Sequence, residues 1–80
     1  MKMTNISIDN LKEKMVKNEL DLGIYDGENG SGQKVTIIVD IDKFAVSTKQ
    51  SNGWNRINIY EYDRKENQWI EEETYEKDND

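Results

Sequence analysis

Seven residues in the middle of the chain, Val35-Thr36-Ile37-Ile38-Val39-Asp40-Ile41, place β-branched side chains at nearly every second position. Successive side chains of a strand point to opposite faces, so this period of two commits the segment to a β-strand. Val35, Ile37, Val39 and Ile41 share one face. Ile38 on the other face predicts a central strand partly covered on both sides. Whatever fold the chain adopts is built around a sheet with this strand near its middle.

The flanking segments extend the sheet. Leu20, Leu22 and Ile24 alternate with Asp21, Gly23 and Tyr25, which predicts a half-buried strand at 20–25. Asp26 to Gly32 holds three glycines and reads as a loop. A tight turn near Asp40 to Lys43 leads into a strand at 44–48, with Phe44 and Val46 on one face. Asn52-Gly53 is a strong hairpin signal and introduces a strand at 54–62. A polar turn over Asp63 to Asn67 leads to a last strand at 68–76, and 77–80 reads as a frayed tail. Ahead of the sheet, Ile8, Leu11, Met15 and Val16 fall on one helical face, so 7–18 predicts a helix with Ser7 as N-cap and Asn18 as stop. Lys12, Glu13, Lys14 and Lys17 lie elsewhere on that wheel. The expected fold class is α+β over one domain, 1–80. A short N-terminal helix packs on an antiparallel sheet of about five strands in hairpins.

Composition limits what such a domain can do. The chain has 80 residues, of which 34% are hydrophobic and 35% charged. That balance leans toward disorder, but the apolar residues are gathered in short alternating runs that disordered chains lack. There is no cysteine, histidine or proline. Disulfides, thiolate zinc sites, cysteine nucleophiles and histidine bases are therefore excluded. No apolar stretch reaches membrane-span length and no signal-peptide core follows Met1, so a cytoplasmic location is expected, without membrane contact. No motif supports Ser–Lys chemistry at Ser47 or Ser51. The loop at 26–32 joins two strands rather than opening a helix, which disfavours a phosphate cradle. Counted from Asp26, it lacks the EF-hand acids beyond Glu28. Weak cation binding at Asp26 and Glu28, or at Asp40 and Asp42, stays open. Asp63-Arg64-Lys65 matches a nuclease triplet but falls in a turn. Neither an enzyme nor a cofactor or metal protein is expected.

The charge is unevenly placed. Residues 1–60 carry eight acids and eight bases, whereas 61–80 carry nine acids and three bases, the whole of the net −6. Such a field repels nucleic acid and attracts basic proteins. On a strand, Glu71 and Glu73 lie ~6.6–6.8 Å apart on one face, close to the ~6–7 Å path between phosphates of one nucleic-acid strand. Glu61 and Asp63 flank them across the hairpin. Five rings (Trp54, Tyr60, Tyr62, Trp69 and Tyr75) lie on the side facing away from Ile57, Ile59 and Ile70. They either offer interface anchors or complete a thin core.

Ile8-Asp9-Asn10-Leu11, the strands at 20–25, 35–41 and 44–48, Asn52-Gly53-Trp54-Asn55 and the acidic run Glu61 to Glu76 together resemble the small acidic inhibitors of phages. The resemblance is to anti-CRISPR proteins that block a type II nuclease by mimicking DNA. Phage inhibitors of uracil-DNA glycosylase are similar in size and charge. The anti-CRISPR family is helical around its acids, whereas this stretch alternates like a hairpin. Abundant Lys, Asn, Ile, Asp and Glu also suit a low-GC bacterial or phage source. The resemblance implies an inhibitor of a basic, nucleic-acid-handling enzyme. Its contact residues would be Glu61, Asp63, Glu66, Glu71, Glu72, Glu73 and Glu76, with Trp54 and Trp69 as anchors. The alternative reading is a non-catalytic interaction or assembly module, homodimeric or not, whose acids only solvate it.

Overall fold

The computed structural model describes residues 2–77, giving Lys2 to Asn5 as backbone alone. The tail expected at 77–80 lies outside the described residues apart from Lys77. Seven elements follow in order: β1 (Lys2–Ile6), α1 (Ile8–Val16), β2 (Gly23–Asn29), β3 (Lys34–Asp40), β4 (Lys43–Lys49), β5 (Trp54–Asp63) and β6 (Gln68–Lys77). The strands form one sheet in sequential order, β1 to β6. β2 to β6 are antiparallel neighbours, matching the expected five-stranded meander with a single helix.

β1 was not foreseen. It pairs with β2 in parallel, Lys2 opposite Asp26 and Met3 opposite Gly27. A parallel pair cannot close through a tight turn and needs a crossover of a dozen or more residues. Residues 7–22 supply it, and α1 is its helical part. The helix therefore lies where the crossover must run, over one face of the sheet.

α1 begins one residue later than Ser7. Ser7 is extended and its carbonyl accepts the first helical bond, from Leu11 N–H at 3.1 Å, but its hydroxyl caps nothing. The other end stops as Asn18 suggests. Asn18 takes φ 56°. Its N–H bonds the Met15 carbonyl at 3.1 Å while Glu19 N–H reaches the Lys14 carbonyl at 2.8 Å. These two bonds form a Schellman closure that occupies the last helical carbonyls.

Leu11 and Met15 point from α1 into a core of Val35, Ile37, Val39, Phe44, Val46 and Tyr60. Ile37 and Phe44 are the most completely buried side chains. Ile6, Ile8, Leu20, Tyr25 and Trp69 pack around that centre. Phe44 stacks on Tyr60 at 4.9 Å and meets the Trp69 edge at 5.8 Å, two favoured ring geometries.

Several expectations need correction. The second strand starts at Gly23 and runs through Asn29, so its inward residue is Tyr25, and Leu22 and Ile24 are exposed. Only Gly30 to Gln33 of the glycine-rich stretch turns, closed by Asn29 Oδ1 accepting from Ser31 and Gln33 N–H. Ile41 is not inward. It sits in the two-residue turn with Asp42, exposed. Lys12 is not an outer residue of the helix, because its ammonium reaches down to Tyr60, Trp69 and Glu71. Ile38 has no cover among the described residues. The rings Tyr60 and Trp69 face the helix, and it is Ile57 and Ile59 that lie on the uncovered side.

Candidate protein-docking surface

Among the described residues, the sheet has a helix on one side only. Register places the other side's residues in cross-strand rows. One row runs Ile24, Ile38, Ala45, Ile59, Glu72. The row toward the β3–β4 turn is Asp40, Lys43, Glu61, Ile70, and the opposite neighbour is Asp26, Thr36, Ser47, Ile57, Thr74. The outermost row holds Lys34 next to Glu28 and Asn55 next to Glu76. Ile24 is 73% exposed, Ile38 48% and Ile70 47%. With Ala45, Ile57 and Ile59, partly exposed, they make a contiguous apolar floor. Isolated apolar side chains on a surface are ordinary, but a continuous patch rimmed by charge marks an interaction surface. Near β2–β4 the floor gives way to a shallow polar depression of ≈ 630 Å³ lined by Asp26, Lys34, Thr36, Ser47, Lys49 and Asn55.

The acids expected to act together are divided by the strand period. Glu71 and Glu73 fall on the helix side. Glu71 meets Lys12 Nζ at 2.7 Å. Glu73 meets Arg56 Nε at 2.9 Å and accepts the Tyr75 hydroxyl at 2.7 Å. Tyr75 and Glu73 together raise the Arg56 pKa above its ordinary value. Asp63 shapes the β5–β6 turn, its Oδ1 accepting from Lys65 and Glu66 N–H at 3.0 and 3.2 Å. Glu61, Glu72 and Glu76 lie on the open side and Glu66 in the turn, and none of these four carboxylates is ion-paired among the described residues. The continuous Glu71–Glu73 track is therefore tied to cations of the chain itself. Trp69 is packed between Phe44 and Tyr62, whereas Trp54 is exposed.

Burial of Tyr60 raises its phenol pKa above the usual tyrosine value. Among the described residues, no three acidic side chains converge as metal ligands would. Of the pairs considered for a cation, Asp42 is held by Arg64 Nε at 2.7 Å, and Asp40 Oδ1 accepts from Ile41 N–H at 2.7 Å.

Two residues that sequence reasoning passed over set this geometry. Arg64 binds Asp42, donates to the Met15 carbonyl at 3.2 Å and to Asn18 Oδ1 at 2.6 Å, and lies over the Tyr62 ring. It joins the β5–β6 turn to the helix C-terminus and the β3–β4 turn. Lys12 joins the helix to β6. Neither has a sequence signature, since each partner is distant along the chain. The open face itself was not legible, since the outward Ile38 predicts cover on both sides and is instead 48% exposed.

No helix among the described residues is long and apolar enough to cross a membrane. Comparison with protein-family models, with curated proteins and with solved structures finds no match to this chain.

Proposed function

We propose that the protein is a non-catalytic binding module that docks another protein chain on the helix-free face of its sheet. The observation that carries this reading is the apolar floor of Ile24, Ile38 and Ile70, each close to half exposed or more and uncovered by any described element. Burying such side chains yields roughly 25 cal/mol per Å² of apolar area, so the floor supplies affinity. The surrounding charges supply orientation and partner choice.

A photoreactive amino acid placed singly at Ile24, Ile38 or Ile70, and at Lys14 on the outer side of α1, tests this in cells that express the chain. Covalent protein adducts are expected from the three sheet positions and not from position 14. Equal labelling at position 14, or none at the sheet, overturns the reading.

The second reading, an inhibitor that occupies the basic groove of a nucleic-acid enzyme, is favoured by one observation. Among the described residues, Glu61, Glu66, Glu72 and Glu76 have no ion-pair partner, in the segment that carries the whole net charge. In that case the adduct is a basic nucleic-acid-binding protein, and added DNA competes its formation away. The contact would run through the open-side acids, because Glu71 and Glu73 are held by Lys12 and Arg56.

A further inference from the structure

We infer that the outer edge of β6 accepts an added strand from another protein, and that the strand it accepts is basic. The inference goes beyond the docking reading above and does not depend on it, since it concerns backbone at the rim of the sheet. β6 ends the sheet, and among the described residues no strand pairs with its outer side. The N–H and C=O groups along that side are a template for one more strand. Folded proteins blunt such edges by keeping them short, by bulges or by proline. The other edge of this sheet follows that rule, because β1 has five residues and its register shifts between Met3 and Ile6. β6 does not. Its ten residues pair with β5 in unbroken register, and the chain has no proline. That is roughly twice the length of an ordinary strand. Every residue of β6 except Trp69 is exposed.

Charge selects the occupant. On the open side β6 presents Ile70, Glu72, Thr74 and Glu76 in turn. Glu71 and Glu73, on the helix side, already hold Lys12 and Arg56. Glu72 and Glu76 have no ion-pair partner among the described residues. β5 carries no base on their side, and the first ones, Lys43 and Lys49, stand on β4, two strand spacings or roughly 9.6 Å away. An added strand lies only one spacing away. The single base of β6, Lys77, sits at its end and on the helix side. Like charges directly opposite destabilise a strand pair and opposite charges stabilise it.

The same acids disfavour a second copy. When β6 lies antiparallel to itself, every register that overlaps most of the strand sets Glu against Glu: Glu72 on Glu72, Glu73 on Glu73, or Glu72 on Glu76 as the two-fold axis moves along. Of these three, only the last adds an opposite pair, Glu71 on Lys77, and Glu71 is already held by Lys12. The occupant is therefore an extended segment of another protein, with Lys or Arg opposite Glu72 and Glu76 and an aliphatic residue opposite Ile70. Every pair from β2 to β6 is antiparallel, and antiparallel pairing is the slightly stronger kind. In that direction the segment carries bases at i and i+4 and the aliphatic residue at i+6. Its main-chain bonds supply affinity, and these side chains supply choice.

Titration of the isotope-labelled full chain with a capped nine-residue peptide, followed by amide NMR, tests the inference. The peptide carries lysine at its second and sixth positions, valine at its fourth and eighth, and threonine elsewhere. Saturable, sub-millimolar binding is expected at low salt, with alternate amides of β6 shifted and slowed in hydrogen exchange. Glutamate in place of both lysines should weaken binding about tenfold. Two further peptides carry methyl groups on alternate backbone nitrogens, one on the odd positions and one on the even. Successive N–H groups of a strand point to opposite edges, so one of the two should lose binding and the other keep it. Glu72→Gln combined with Glu76→Gln, both at exposed positions, should weaken the parent peptide several-fold without lowering the melting temperature. Equal binding of the glutamate peptide, equal behaviour of the two methylated peptides, or no binding at millimolar peptide overturns the inference. Shifts centred on Ile24 and Ile38 with β6 unmoved also overturn it and leave the open-face reading intact. A sheet that forms no photoadduct sinks that reading and not this one.

Discussion

At the scale of the residue, the molecule depends on a few long polar side chains that reach across elements. Arg64 is the clearest. Its guanidinium satisfies a helix-terminal carbonyl, an Asn side chain and a carboxylate at once. A planar fork can do this and an ammonium cannot. Because Arg64 and Asp42 are both partly exposed, solvent screens the ion pair and most of the effect comes from the hydrogen bonds. Arg64→Ala should cost about 1–2 kcal/mol in denaturant unfolding, and Arg64→Lys should recover only part of it. A variant that unfolds with the parent would show the three bonds to be incidental. No local sequence pattern announces this residue. Asp63-Arg64-Lys65 looks like a polar turn because the groups Arg64 binds are 22, 46 and 49 residues away.

The elements are more legible. β3 and β4 have the strongest period of two and nearly the bounds expected, because alternation and the short turn between them are local properties. The β4–β5 hairpin follows from Asn52-Gly53, where Gly53 takes φ 86° and Asn52 Oδ1 accepts from Trp54 N–H. The bounds of β2 differ because Leu20 and Leu22 continue the alternation of Ile24 backwards beyond the start of the strand, while its second half, Asp26-Gly27-Glu28-Asn29, consists of turn formers held in the sheet by pairing with β3. A helix of nine residues is too short to persist alone, so α1 holds only through its packed face. Leu11→Asp places a charge among Met15 and the sheet core and should cost about 2 kcal/mol or more. Lys14→Ala, on the exposed side, should leave the thermal midpoint within error. Equal melting of both variants would contradict the packing of the helix.

At the scale of the whole molecule, one layer of helix on one layer of sheet leaves a thin core and a face without cover among the described residues. Protection should follow that plan. Amide hydrogen exchange is expected to be slowest in β3 and β4, which are bonded on both sides beneath the helix, and faster toward the edges at β1 and β6. Exchange as slow in β6 as in β4 would mean that the free edge or the open face is covered in solution. Charge at this scale also has a consistent layout. The acids of β6 alternate sides, so the helix side uses Glu71 and Glu73 to bind Lys12 and Arg56, while Glu72 and Glu76 lie on the open side.

The order of the hairpins, the helix and its stop, and the concentration of charge in the last quarter were determined by the sequence alone. Each depends on neighbours a few residues apart: a period, a turn residue, a run of like charge. The parallel β1 pairing was decided elsewhere, because it joins segments across a crossover and its own residues carry little strand signal. The inward side of β5–β6 was decided by packing. Both sides of that hairpin are apolar, Ile57 and Ile59 on one and Tyr60 and Trp69 on the other, so alternation defines two faces without ranking them. The helix covers the ring side, where Lys12 finds Glu71 and Leu11 and Met15 join a core with Phe44 and Tyr60. Only that choice leaves the isoleucines of the hairpin on the side away from the helix.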